Sequence, residues 1–96
     1  MAITNVIDGV AVAVDEATAV SFAVTSASLL TADNFALGEN ARVLRLGPSG
    51  DYIPATNKDG AIVLSAIPNM ALLEGPARYK VTKDVTVLDG YVGREE

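Results

Sequence analysis

The sequence predicts an all-β fold: a small antiparallel β-sandwich or Greek-key barrel of six to seven strands, with an extended N-terminal arm over residues 1–9 and a C-terminal tail over residues 89–96. Three observations predict it. Aliphatic and β-branched residues recur in short runs at roughly even spacing, those runs alternate with a period of two, and Gly, Pro, Asn and Asp punctuate them as turns. The 96 residues make one domain, because a chain of this length buries roughly 65% of its unfolded surface around a single modest core. The apolar content is mainly 15 Ala and 12 Val, with five aromatics and no Trp, which favours thin, closely packed layers over a deep ligand cavity.

Taken in order, residues 10–14 alternate as Val-Ala-Val-Ala-Val and residues 18–24 run Thr-Ala-Val-Ser-Phe-Ala-Val, with Asp15-Glu16 as the break between them. This reads as a hairpin with Val20, Phe22 and Val24 on one face. An Ala/Val helix is the competing reading, but six of these twelve positions are Val or Thr, whose rotamers a helix restricts. Residues 25–40 are rich in Ser, Thr, Asp and Asn, which bond locally to the backbone, so an irregular loop is expected, with Leu29, Leu30, Phe35 and Leu37 tucked onto the core.

Residues 43–46 then meet residues 52–56 across the turn Gly47-Pro48-Ser49-Gly50-Asp51, and Asn57-Lys58-Asp59-Gly60 forms a second turn into residues 61–66. Ile62 and Leu64 share a face. Residues 70–78 make a corner at Gly75-Pro76 before a strand at residues 79–82, and residues 85–88 form a last short run. In Greek-key sandwiches a Tyr after a Leu-x-x-Gly corner often turns its hydroxyl back upstream. Tyr79 fits that role, or that of an ordinary core tyrosine. The expected core is Leu44, Leu46, Ile62, Leu64, Tyr79 and Val81.

The chemistry open to this chain is narrow. Without His or Cys it cannot build the usual nucleophile–base pairs, a His-based zinc site or a disulfide, and no phosphate-cradling glycine motif occurs. Asn57-x-Asp59-Gly60 resembles part of a calcium loop, but Ala55 and Ala66 occupy positions that need oxygen ligands. Carboxylate catalysis would need two acids held in a cleft, and most of the twelve acids fall in turns or at the C-terminus. We therefore expect no enzyme activity, no cofactor and no metal.

The net charge is −5 and the bases are dispersed, which argues against nucleic acid. No apolar run reaches membrane-spanning length, and the first residues read as the start of a soluble cytosolic protein. Arg45 and Arg78, with Arg42, Lys80 and Lys83, would form a basic strip if their strands adjoin, serving either as cross-strand ion-pair partners or as a docking patch. The ends carry Ile3, Val6, Ile7, Tyr91 and Val92, more apolar than free tails require.

Residues 42–83 carry a family resemblance. The order Arg-Val-Leu-Arg-Leu, Gly-rich turn, Tyr-Ile-Pro-Ala-Thr, Asp-Gly turn, Ile-Val-Leu and then Leu-Leu-Glu-Gly-Pro-Ala-Arg-Tyr-Lys-Val resembles small β-sandwich structural proteins of tailed-phage virions, of the head decoration or cement type. The resemblance implies a non-enzymatic homo-oligomer, trimers being among the expected sizes. It would be assembled in the host bacterial cytoplasm and docked in the virion on the major capsid protein or another virion protein, bridging capsid subunits. Ile3, Val6, Ile7, Arg45, Arg78, Tyr91 and Val92 are the expected interface residues. A ligand- or glycan-binding sandwich, with Tyr52 and Tyr91 as stacking surfaces, is the alternative.

Overall fold

A computed structural model describes residues 3–9, 13–84 and 90–95. In chain order the strands are β1 (Ile3–Ile7), β2 (Phe22–Val24), β3 (Ala27–Asp33), β4 (Asn40–Leu46), β5 (Tyr52–Pro54), β6 (Thr56–Asn57), β7 (Gly60–Ala61), β8 (Val63–Ser65), β9 (Met70–Glu74), β10 (Ala77–Lys83) and β11 (Tyr91–Glu95). They form an antiparallel β-sandwich. The first sheet has the order β1-β11-β3-β9, and the second has β2-β10-β4 with β5 and β8 sharing the far edge of β4.

One pairing ties both sheets together. Phe22 to Val24 pair with Tyr79 to Ala77 in the second sheet, and Ala27 to Thr31 pair with Glu74 to Met70 in the first. Two residues separate the paired stretches on each arm of the ribbon, Thr25-Ser26 on one and Gly75-Pro76 on the other, so the register passes through the bend unbroken. At that bend the Gly75 N–H donates to the Ser26 carbonyl at 2.8 Å. A Cβ on Gly75 would lie 2.1 Å from the Val24 carbonyl oxygen, which leaves no room for any side chain. Tyr79 spans the corner: its hydroxyl donates to the Glu74 carbonyl at 2.5 Å, the upstream turn-back expected of it.

The inner faces follow from this ribbon by strand alternation. Phe22 and Val24, Leu30 and Ala32, Ala41 and Val43, Leu64, Leu73, Tyr79 and Val81, and Val92 fill the space between the sheets. Phe22 and Tyr79 stack at 6.2 Å between ring centroids, and the Arg94 guanidinium lies 5.2 Å from the Phe22 ring, joining β11 to β2 across the layers. Among the described residues no buried side-chain nitrogen or oxygen lacks a partner. Ser28, buried in β3, donates its hydroxyl to the Glu95 carbonyl at 2.7 Å.

Several expectations hold. The 47–51 turn closes with Gly47 N–H to Asp51 carbonyl at 2.8 Å, and Asn57 pairs with Gly60 across Lys58-Asp59. Ile62, Leu64, Tyr79 and Val81 are core residues. The 56–61 hairpin is an excursion: Ala55 and Ile62 both bond to Val43, so β5 and β8 run as one interrupted edge strand along β4.

Other expectations are corrected. Among the described residues the two sheets hold nine strands in place of six to seven. Residues 25–40 are not all loop, because β3 occupies the middle of the first sheet, where partners on both sides satisfy its backbone, Thr31 and Asp33 turn outward and buried Ser28 has its own hydrogen-bond partner. Leu37 is exposed on the loop that follows. In β4 the buried positions are Ala41 and Val43, not Leu44 and Leu46, since small Ala41 sits opposite the bulkier Leu64 and the leucines face outward.

The hairpin expected of residues 10–14 and 18–24 is not formed among its described residues, 13–24. Val14 bridges Lys83 while β2 pairs with Ala77 to Tyr79, so both lie along the same edge of β10 with a loop between them, and Val20 is exposed on that loop. Residues 10–12, 85–88 and 89 lie outside the described residues. The arm and tail pair with each other as β1 and β11, a contact between chain ends that no local pattern announces.

Two substitutions test the corner. Gly75→Ala should destabilise the fold by at least about 2 kcal/mol, because the clash is with main chain that cannot step aside. Tyr79→Phe should cost only about 1 kcal/mol, the value of one hydrogen bond. Urea denaturation of both variants checks the ranking; an unaffected Gly75→Ala protein would contradict it.

Candidate protein-docking face

Because Ser28, Leu30 and Ala32 turn inward, Leu29, Thr31 and Asp33 face solvent from the middle of the first sheet. The register extends that face sideways. Leu29 lies opposite Leu72, Thr31 opposite both Met70 and Gly93, Asp33 opposite Tyr91, and Asn5 opposite Gly93. Ile3 (65% exposed), Leu72 (58%), Met70 (56%) and Tyr91 (40%) therefore stand on one outer face, with half-buried Leu29 between them. Single exposed apolar side chains are ordinary; four large ones around a half-buried Leu29 make an apolar patch on one face of a small sheet.

The face has relief. Gly93 supplies no side chain, and a trough of about 260 Å³ opens over it, lined by Ile3, Asn5, Thr31, Asp33 and Tyr91. A Cβ on Gly93 would meet the Ile3 Cγ2 at 2.8 Å, so the glycine lets Ile3 lie down across the strand.

The expected interface residues separate. Ile3 and Tyr91 share this face, but Ile7 and Val92 are opposite each other in the core and Val6 packs against it. Ile7 and Val92 are thus buried within the sandwich, and Val6 is half-buried against it. A register shift between Asn5 and Ile7 makes Val6 an extra residue and turns Ile7 inward, while Val92 takes its inward side from β3, opposite buried Ala32. Sequence reading missed Leu29, Met70 and Leu72. The signal available was the alternation of residues 70–74, in which Leu73 is inward and its neighbours outward.

The basic residues do not form one strip. β4 and β10 adjoin, but Arg45 is opposite Tyr79 on the inward-facing side, at the open end of the sandwich, and Lys83 is buried opposite Ala41. Arg78 faces out from the second sheet with Lys80 and Arg42. Arg78 donates to the Ser21 hydroxyl at 2.9 Å. Lys80 donates to the Glu16 carbonyl at 2.9 Å, with its ammonium 4.5 Å from the centre of the Tyr52 ring. Tyr52 is thereby on the second sheet's outer face and Tyr91 on the first sheet's, so the two cannot stack on one ligand.

A cleft of about 570 Å³ opens at the end of the sandwich, with Ile53, Ile62 and Leu73 in its lining and Arg45, Lys58, Asp59 and Glu74 around them. Asp59 and Glu74 both line it. Both are exposed. Among the described residues no group of three or more acids is placed to hold a metal ion.

Comparison with family models, curated proteins and solved structures found no match to this chain.

The loop that Lys80 holds against the second sheet is closed by Asp15 and Thr18. The Thr18 N–H and hydroxyl each donate to the Asp15 carboxylate at 3.0 Å, and the Asp15 N–H donates to the Thr18 hydroxyl at 3.1 Å. The Thr18 N–H, and after it the Thr18 hydroxyl, hold the Asp15 carboxyl below the usual carboxylate range. A pKa lowered in the folded state stabilises the loop fully above that range, and the contribution is lost as pH falls through the lowered value. An NMR titration should therefore show the Thr18 amide moving with Asp15 at acid pH, and Asp15→Asn should abolish that step.

Proposed function

We propose that this protein is a non-enzymatic virion structural protein that decorates or cements a tailed-phage capsid, docking on capsid subunits through the outer face of its first sheet. The observation that carries the reading is that face: Ile3, Leu29, Met70, Leu72 and Tyr91 outward on one two-layer domain, with a shallow trough and no deep pocket beneath them. Removing such side chains from water on a protein lattice contributes roughly 25 cal/mol per Å² of apolar area buried. The virion context comes from the resemblance over residues 42–83. The face supplies the mode of attachment.

Co-sedimentation with shells assembled from the major capsid protein of the same genome tests it. The wild-type protein should pellet with shells. Ile3→Glu/Tyr91→Glu should weaken attachment by about tenfold or more, since each charge replaces a desolvated apolar contact worth roughly 1 kcal/mol or more. Arg78→Glu, on the opposite sheet, should attach like wild type. Absence of wild-type attachment, or loss with Arg78→Glu alone, would overturn the reading.

A further inference from the structure

Each sheet of an open sandwich has two edges, and an exposed edge strand offers unused backbone donors and acceptors to any other strand. Three of the four edges here are blunted. β1 carries the register shift at Val6, β2 is only three residues long and is followed toward Val14 by the Asp15 loop, and the β5/β8 edge is interrupted by the 56–61 hairpin. β9 has no such device. Its five residues, Met-Ala-Leu-Leu-Glu, contain no Pro, no Lys or Arg and no bulge, and among the described residues no strand lies on its outer side.

The hydrogen-bond phase of this edge can be read. Ala32 N–H donates to the Asn69 carbonyl and Gly75 N–H to the Ser26 carbonyl, one pair at each end of β9 in the same register. Antiparallel pairs alternate, so Ala71 and Leu73 bond inward to β3, and the backbone N–H and C=O groups of Met70, Leu72 and Glu74 point away from the sheet. Leu72 is the centre of that outward set.

We infer that β9 pairs antiparallel with β9 of a second copy of this chain, about a two-fold axis at Leu72, to make one eight-stranded sheet across the dimer. Charge decides in favour of this occupant. The register centred on Leu72 pairs all five residues, sets Glu74 opposite the partner copy's methionine, and opposes no like charges, which directly opposed would be destabilising. The dimer is isologous and closes on itself. It also extends the apolar outer face from one copy into the next. The inference goes beyond the docking reading and does not depend on it, because β9 lies at the opposite edge of the sheet from Ile3.

Light scattering on the full chain at about 100 µM, where micromolar pairing is saturated, tests it. The expected mass is about twice the 9.9 kDa of the chain. Leu72→Pro removes an outward donor without touching the bonds to β3, and Leu72→Lys opposes two ammonium groups across the axis, so each should give a monomer. Leu72→Glu should do the same, and an equimolar mixture of the Lys and Glu variants should recover the dimer, at least tenfold tighter than either alone. Recovery requires both variants to be folded, so unfolding cannot mimic the result. A monomeric wild-type protein, an oligomer that survives Leu72→Lys, or a mixture that stays monomeric would each overturn the inference.

Discussion

At Gly75 the main chains of two strands approach so closely that a single methyl group would overlap a carbonyl oxygen 2.1 Å away. That contact lets a paired ribbon, residues 22–31 against residues 70–79, bend from one sheet into the other without losing register. The bend fixes the rest. It sets the inward parity of four strands together, brings Phe22 onto Tyr79, and places the Tyr79 hydroxyl where the Glu74 carbonyl needs a donor. β4 then reads its parity from β10, and β11 from β3.

Once the inner faces are set, the outer faces have no freedom left, and they differ. The first sheet turns out Ile3, Leu29, Met70, Leu72 and Tyr91, while the second turns out Arg42, Arg78 and Lys80 among Leu44, Leu46 and Tyr52. On the second sheet the basic side chains are engaged locally, Arg78 with Ser21 and Lys80 with Glu16 and the Tyr52 ring. Such contacts hold a loop and a short edge strand in place. On the first sheet Gly9 lies against the Tyr91 ring, while Ile3, Met70 and Leu72 stay more than half exposed.

Much of the second sheet was legible in the sequence because its signals are local. Gly50 and Gly60 mark turns through the positive φ that glycine tolerates, and Ile62 and Leu64 alternate cleanly. The first sheet was not legible, since each of its strands finds its partner far along the chain. β3 looks like loop until neighbours on both sides take up its backbone, and β1 and β11 look like free ends until they meet. Ile3 and Tyr91 were identifiable as surface candidates, but the extra residue at Val6 sent Ile7 inward, nothing within residues 3–7 announces that shift, and Val92 faces inward through its distant partner Ala32 on β3.

Native-state hydrogen exchange tests the central claim most directly. If the bent ribbon is the organising contact, the amides of Leu30, Leu73, Gly75 and Tyr79 should belong to one cooperative unit and exchange only through the highest-energy opening of the molecule. Exchange of the Gly75 amide at the rate of the 34–39 loop, with the two sheets opening at separate free energies, would contradict the account.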